Sequence, residues 1–407
     1  MAMRPSELTP AALPEERSAA LPAVGGGRAR LQVPRSIQWA QALVLVVLFT
    51  APAVMSLRLA YIADPDIWWH LRSAEWMVTN HAVLRTDPFS SFGAGRPSAA
   101  YSWLYELVVY GLFQRLGLVG IVAYSTGMAV IVAFAIHRLM RHLQSDFTFA
   151  VLLTAFASYC MSRFYTPRPW LFSALLFVLE VDFLMQARRS GKRSGLLWLP
   201  VIFVLWVNLH IQFIDGLVVL AIALAESLAA RRWNAVETGI RAGWMFGISS
   251  ACVLATMVNP YGWNIYRIAY SYASLPGIFD RVTELNAIPF RRIDDWCVLL
   301  VTLAAVAVLA RARRVDFLES GLLVFAVYVS FRSQRDLWVV VIAGCTILAA
   351  GLKGSEENRL QLKAAAAPLV VTGTIVAVWL SGLVLHVNNA HCGTILPRRC
   401  RFARSRW

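Results

Sequence analysis

The sequence predicts an all-α, polytopic membrane protein with about eleven transmembrane helices. Apolar residues make up 58% of its 407 residues and charged residues only 15%, where a soluble domain carries about 25% charged residues. Mean hydropathy is +0.59. The apolar residues are gathered into separate runs, many of them of the length that crosses about 30 Å of hydrocarbon.

The elements follow in order along the chain. Residues 1–36 are rich in Pro, Ala, Gly and Arg and contain no apolar core, which predicts a disordered cytoplasmic leader rather than a cleaved signal peptide. The first apolar run covers 37–57. Others follow at 118–137, 147–162, 169–187, 196–213, 214–230, 242–258, 296–310, 317–331, 336–352 and 366–387, so the expected transmembrane core is 37–387. Residues 58–117 are then a large first extracytoplasmic loop. Within it, 102–116 is short for a span and carries Glu106 and Arg115, the pattern of an interfacial or re-entrant helix. A basic tail, 388–407, closes the chain.

Charge sets the expected orientation. The net charge of +15 comes almost wholly from arginine, because lysine occurs only at Lys192, Lys353 and Lys363. In a membrane chain such an excess marks cytoplasmic loops rather than a nucleic-acid partner. Placing Arg188, Arg189, Lys192 and Arg193 inside puts Arg231-Arg232 and Arg311/Arg313/Arg314 inside as well, and walking back puts Arg138, Arg141 and the N-terminus there too. This parity requires that 102–116 does not cross. It also leaves the tail, with Arg398, Arg399, Arg401, Arg404 and Arg406, outside and against the rule. Of six cysteines, Cys160, Cys252, Cys297 and Cys345 fall in or beside apolar runs without metal-ligand spacing and read as inert core thiols. Cys392 and Cys400 are the pair with room to bridge.

With this topology the polar motifs gather at the outer ends of spans: Asp64 to Arg72, Asp87-Pro88-Phe89-Ser90, Arg163 to Trp170, Asn208-Leu209-His210, Asn259-Pro260-Tyr261-Gly262, and Arg332 with Arg335. Each has a structural alternative. Asp64-Pro65-Asp66 is good turn and cap chemistry, although capping leaves His70 and Arg72 unexplained. Trp68-Trp69 suits an interfacial belt, and Asp87-Pro88 suits a turn. Arg163 and Arg168 either snorkel to headgroups or pair with a phosphate. Asn208 and His210 suit interhelical hydrogen bonds, Asn259 to Gly262 a helix stop. Arg332 and Arg335, one turn apart, either anchor a diphosphate or mark an interface. Their common side points to one extracytoplasmic cleft.

The stretch Asp66-Ile67-Trp68-Trp69-His70-Leu71-Arg72-Ser73-Ala74-Glu75, followed by Asp87-Pro88-Phe89 and Gly95-Arg96, resembles the first outer loop of the GT-C superfamily of membrane glycosyltransferases. In particular it is similar to the Asp-Pro-Trp-Tyr-His-x-Arg segment of oligosaccharyltransferase catalytic subunits. Tyr101-Ser102-Trp103-Leu104 with Phe113 and Leu116 resembles the equivalent region of protein mannosyltransferases and lipid A aminoarabinose transferases. More closely, Arg168-Pro169-Trp170-Leu171-Phe172-Ser173, Trp206-Val207-Asn208-Leu209-His210 and Asn259-Pro260-Tyr261-Gly262 resemble segments of bacterial membrane proteins with a GT-C-like core. The likeness covers roughly 37–350.

The resemblance implies a transferase of the bacterial inner membrane that moves a sugar from a polyprenyl-phosphate-linked donor to an envelope acceptor on the outer face, among membrane lipids and without nucleic acid. It places the family's first-loop aspartate, base or metal ligand, on Asp66, with Asp64, His70 and Arg72 around it. A carboxylate can deprotonate an acceptor hydroxyl or hold Mg or Mn through hard oxygen. Asp87, Asn208 and His210 would contact substrate, while Arg163, Arg168, Arg332 or Arg335 would neutralise the departing lipid phosphate. The chain also departs from the pattern. It lacks the later acidic motif and the Trp-Trp-Asp domain of oligosaccharyltransferases, with Asp294-Asp295 a weak substitute. Where the bacterial proteins have His-Glu-Trp-Leu it has Tyr101-Ser102-Trp103-Leu104, one acid fewer. Two other classes stay open, a lipid or sugar transporter and a non-catalytic or degenerate envelope-assembly protein. A transporter would be expected to show repeats or mid-membrane charges; Glu180, Asp182 and Glu226 are the few candidates.

Overall fold

The computed structural model describes residues 35–60, 64–191, 193–233, 240–274, 282–312 and 315–352. The chain divides into two units, 1–40 and 41–407. Residues 35–40, the described part of the first, are helical. All packing below lies within the second.

The described residues are helical, with no strand, and run α1 (Arg35–Ala60), α2 (Ile67–Asn80), α3 (Trp103–Leu116), α4 (Leu118–Leu143), α5 (Phe147–Cys160), α6 (Trp170–Ser190), α7 (Leu199–Leu209), α8 (Phe213–Trp233), α9 (Ala242–Ala255), α10 (Asn264–Ala273), α11 (Ile293–Arg311), α12 (Phe317–Arg332) and α13 (Leu337–Gly351). Local chemistry sets several ends. Asp146 caps α5 by accepting from the Phe149 amide at 3.0 Å, and Asp316 caps α12 by accepting from Glu319 at 2.9 Å, each satisfying an orphan amide. Gly191, at φ +67°, closes α6 in the left-handed conformation that glycine adopts without strain.

Two helices organise the core. Along α13, Leu337 to Ile347 are buried on every side, as befits a helix apolar all round, and α4, α5, α6, α11 and α12 pack about it. Packed against α4, α7, α8 and α13, α6 buries Phe177 edge-on against Trp338, their ring centroids 5.3 Å apart.

Ten of the eleven apolar runs coincide with helices; the eleventh, 366–387, lies outside the described residues, as do 1–34 of the leader and the basic tail. Among the described residues five helices are long and apolar enough to cross a membrane: Arg35–Leu57, Leu118–Leu143, Trp170–Ser190, Ile293–Arg311 and Gln334–Gly351. Shorter apolar helices fill other expected runs: α5 and α9, at 14 residues each, rise about 21 Å. The segment expected to be interfacial is the 14-residue α3, which buries Tyr105, Glu106 and Val109.

The two ends of α6, about 30 Å apart, differ in chemistry. At its C-terminus Arg189 donates to the carbonyls of Leu143 (2.7 Å) and Ala350 (3.2 Å). Arg188 meets Glu226, Asp316 and Glu319, and Arg188, Arg189 and Arg311 line one cavity of about 440 Å³. Arg188, Arg189 and Arg311, from two of the sequence's basic clusters, therefore meet at this end. Its N-terminus carries a different set of charges.

Candidate functional site

The site begins in the turn before α2. Asp64 accepts from the Asp66 amide at 3.1 Å, an Asx-type turn that aims the two carboxylates differently. The Asp64 side chain is 5% exposed and that of Asp66 50%, so Asp66 is the one a substrate can reach. Although Asp66 is the N-cap residue of α2, its side chain makes no capping hydrogen bond.

Both carboxylates meet Arg168. Pro167 and Pro169 stiffen the segment, and two buried phenols clamp its backbone: Tyr105 donates to the Pro167 carbonyl at 2.5 Å and Tyr124 to that of Arg168 at 3.0 Å. The guanidinium binds Asp64 through Nε and Asp66 through Nη1 at 2.5 Å, with Glu284 3.5 Å from Nη2. Burial alone pulls the Arg168 pKa down, but Asp64, Glu284 and Asp66 more than offset it and raise it.

Trp170, two residues on, gathers a second cation. Arg168 and Arg335 lie 5.3 and 5.4 Å from its ring centroid. Arg335 makes no ion pair among the described residues. Its Nη2 lies 3.4 Å from His210 Nε2, His210 Nδ1 lies 2.8 Å from Ser173 Oγ, and Trp206 Nε1 donates to that oxygen at 2.8 Å. Because a guanidinium can only donate, Nε2 is the acceptor and Nδ1 carries the hydrogen. Burial, then Arg335 and His70, lowers the His210 pKa well below its ordinary value, in keeping with a neutral ring.

On the other side of the turn, His70 pairs through Nδ1 with Glu106 Oε1 at 3.0 Å. Glu106, on α3, is 6% exposed, and its second oxygen has no partner among the described residues. It lies four residues after Ser102, one helical turn along α3.

Other expected site residues are placed elsewhere. Arg163 is held by Asp294 at 2.8 Å and Asp295 at 2.8 Å, a clamp between the start of α11 and the segment after α5. Arg163→Ala is expected to leave the buried Asp295 without a counter-charge while Asp294 keeps Arg292, and to cost about 3–5 kcal/mol, read as a lower melting temperature. Arg72 is exposed and pairs with Glu75 at 2.5 Å. Asp87 accepts from the amides of Phe89 (2.8 Å) and Ser90 (3.1 Å), which makes it a loop turn. The Asn208 amide is used up by Trp103, Val204 and Val258. Arg332 is exposed and donates to the Tyr328 hydroxyl at 3.1 Å. Asn259 to Gly262 form a turn, which Arg85 and Tyr261 tie to the first loop through the Pro260 and Leu84 carbonyls.

The structure thus brings Asp64, Asp66, His70, Arg168, His210 and Arg335 into linked contacts. Sequence reasoning missed Glu106, Glu284, Ser173 and the role of Trp170, whose one signal was its place beside Arg168. Among the described residues no group of three or more His, Cys, Asp or Glu can hold a metal ion. Between Asp64 and Asp66 the Arg168 guanidinium already stands where a cation would, so the donor set does not fit Mg or Mn on Asp66. No protein-family model matches the chain, and no curated protein matches it.

Proposed function

We propose that this chain is a GT-C-like membrane glycosyltransferase that transfers a sugar from a polyprenyl-phosphate-linked donor to an envelope acceptor at the extracytoplasmic face of a bacterial plasma membrane. The observation that carries the reading is a half-exposed carboxylate, Asp66, held by Arg168, with a second arginine, Arg335, on the same Trp170 ring as Arg168 and making no ion pair among the described residues. Charge of both signs is what glycosyl transfer from a phosphate requires. Asp66 takes the proton of the acceptor hydroxyl as that oxygen attacks the anomeric carbon. The bond from that carbon to the phosphate oxygen breaks, and the departing phosphate gains negative charge, which Arg335 neutralises.

Arg168 has a different role. With three carboxylates around it, its charge is spent on holding Asp66 aimed, and the neutral His210 orients Arg335 from behind. His70 and Glu106 adjoin the same turn and supply a second acid for the acceptor.

The test uses membrane vesicles charged with radiolabelled sugar on polyprenyl-phosphate carriers. With the protein present, label is expected to leave the lipid fraction for a non-lipid acceptor. Equal lipid label with and without the protein overturns the reading.

A further inference from the structure

Glu180 sits at the midpoint of α6 and is 0% exposed. Neither carboxylate oxygen has a hydrogen-bond partner among the described residues. Every other buried carboxylate there is in ion-pair contact: Glu106 with His70, Asp182 with Arg138 and His142, Asp294 and Asp295 with Arg163, and Glu226 and Glu319 with Arg188. Asp182 is only two residues from Glu180, so this packing supplies cations to one acid and withholds them from its neighbour.

The surroundings are apolar and close. A Cβ at Gly216 of α8 would lie 2.6 Å from Glu180 Oε2, 2.6 Å from Trp206 Cζ3 and 2.9 Å from Phe203 Cζ, so glycine there makes room for the carboxyl. The titratable groups facing Glu180 are Asp215 on α8 and Cys252 on α9. The other charged groups on packed helices are engaged elsewhere: Arg138 and His142 of α4 with Asp182, and Glu226 of α8 with Arg188. Arg141 bonds the Ser145 carbonyl and His137 bonds Thr154. No Asp, Glu, His, Lys or Arg occurs in α7 or α13. An ionised carboxylate in such a place costs many kcal/mol, and the neutral acid removes the cost.

Asp215 lies in turn within charge range of Asp336, whose Oδ1 accepts from Gln212 Nε2 at 2.5 Å, next to Arg335. We propose that Glu180 and Asp215 form a proton-binding site within the helical core, with Glu180 held as the neutral acid and its proton exchanging by way of the Asp215 carboxyl. The site stands independently of the transferase reading.

Infrared difference spectroscopy of the full chain in lipid at neutral pH, wild type against Glu180→Gln, tests it. The substitution is expected to remove a carbonyl-stretch band of a protonated, weakly hydrogen-bonded carboxylic acid, a band that shifts in D2O. Removal of carboxylate bands alone overturns the proposal. Should Glu180→Gln fail to fold, Glu180→Asp is expected to displace the acid band, and an undisplaced band overturns it equally. Asp215→Asn is expected to keep the band but slow its shift in D2O; an unchanged rate removes Asp215 from the site.

Discussion

Arg168→Ala is expected to lower the stability of the folded protein by about 3–5 kcal/mol, the cost of removing one partner from a buried ion pair. The Asp64 side chain, 5% exposed, would be left with a charge and no counter-charge, and the Asx-type turn before α2 would lose its anchor on the segment entering α6. The measurement is the melting temperature in detergent or lipid. Arg168→Lys should recover only part of the loss, because an ammonium cannot present Nε and Nη donors to two carboxylates at once. Stability equal to the wild type in Arg168→Ala would mean that the cluster does not hold the turn.

Asp66→Asn is expected to do the reverse, leaving the fold and removing the chemistry. Asp66 is half-exposed and shares Arg168 with Asp64 and Glu284, so loss of its charge changes stability by less than about 1 kcal/mol. An amide cannot accept the acceptor's proton, and loss of a general base lowers rates roughly 10²–10⁴-fold. Sugar transfer in vesicles should fall by that factor while the melting temperature stays put. Transfer at the wild-type rate removes Asp66 from the mechanism.

The sequence made the outline of this cluster legible because ionisable residues next to apolar runs are scarce, and Asp64, Asp66, His70, Arg168, His210 and Arg335 all stood out on that ground. What it could not show is which arginine meets which acid. Arg163 and Arg168 are five residues apart and look alike in sequence, yet one is locked to Asp294 and Asp295 and the other reaches Asp64, over a hundred residues away in the chain. Helix packing decides such pairings, and no local pattern encodes it. Glu106 was visible as a charge in a short apolar segment, but its partner His70 depends on how α2 lies against α3. Helix positions were legible from apolar runs. Hydropathy alone does not fix how many of them cross a membrane, because 14- to 16-residue runs satisfy the pattern with less length than the five longest apolar helices.

The central claim is that Arg335, on the Trp170 ring with Arg168, receives the phosphate of a lipid-linked sugar. The most direct measurement is the affinity of the purified protein for a polyprenyl-phosphate-linked sugar in wild type, Arg335→Ala and Arg332→Ala. One charge-assisted hydrogen bond accounts for about 10- to 100-fold in affinity, so Arg335→Ala should bind weaker by that factor while Arg332→Ala, which alters an exposed residue bound to Tyr328, binds as the wild type does. Wild-type affinity in Arg335→Ala, or an equal loss in both variants, would contradict the account.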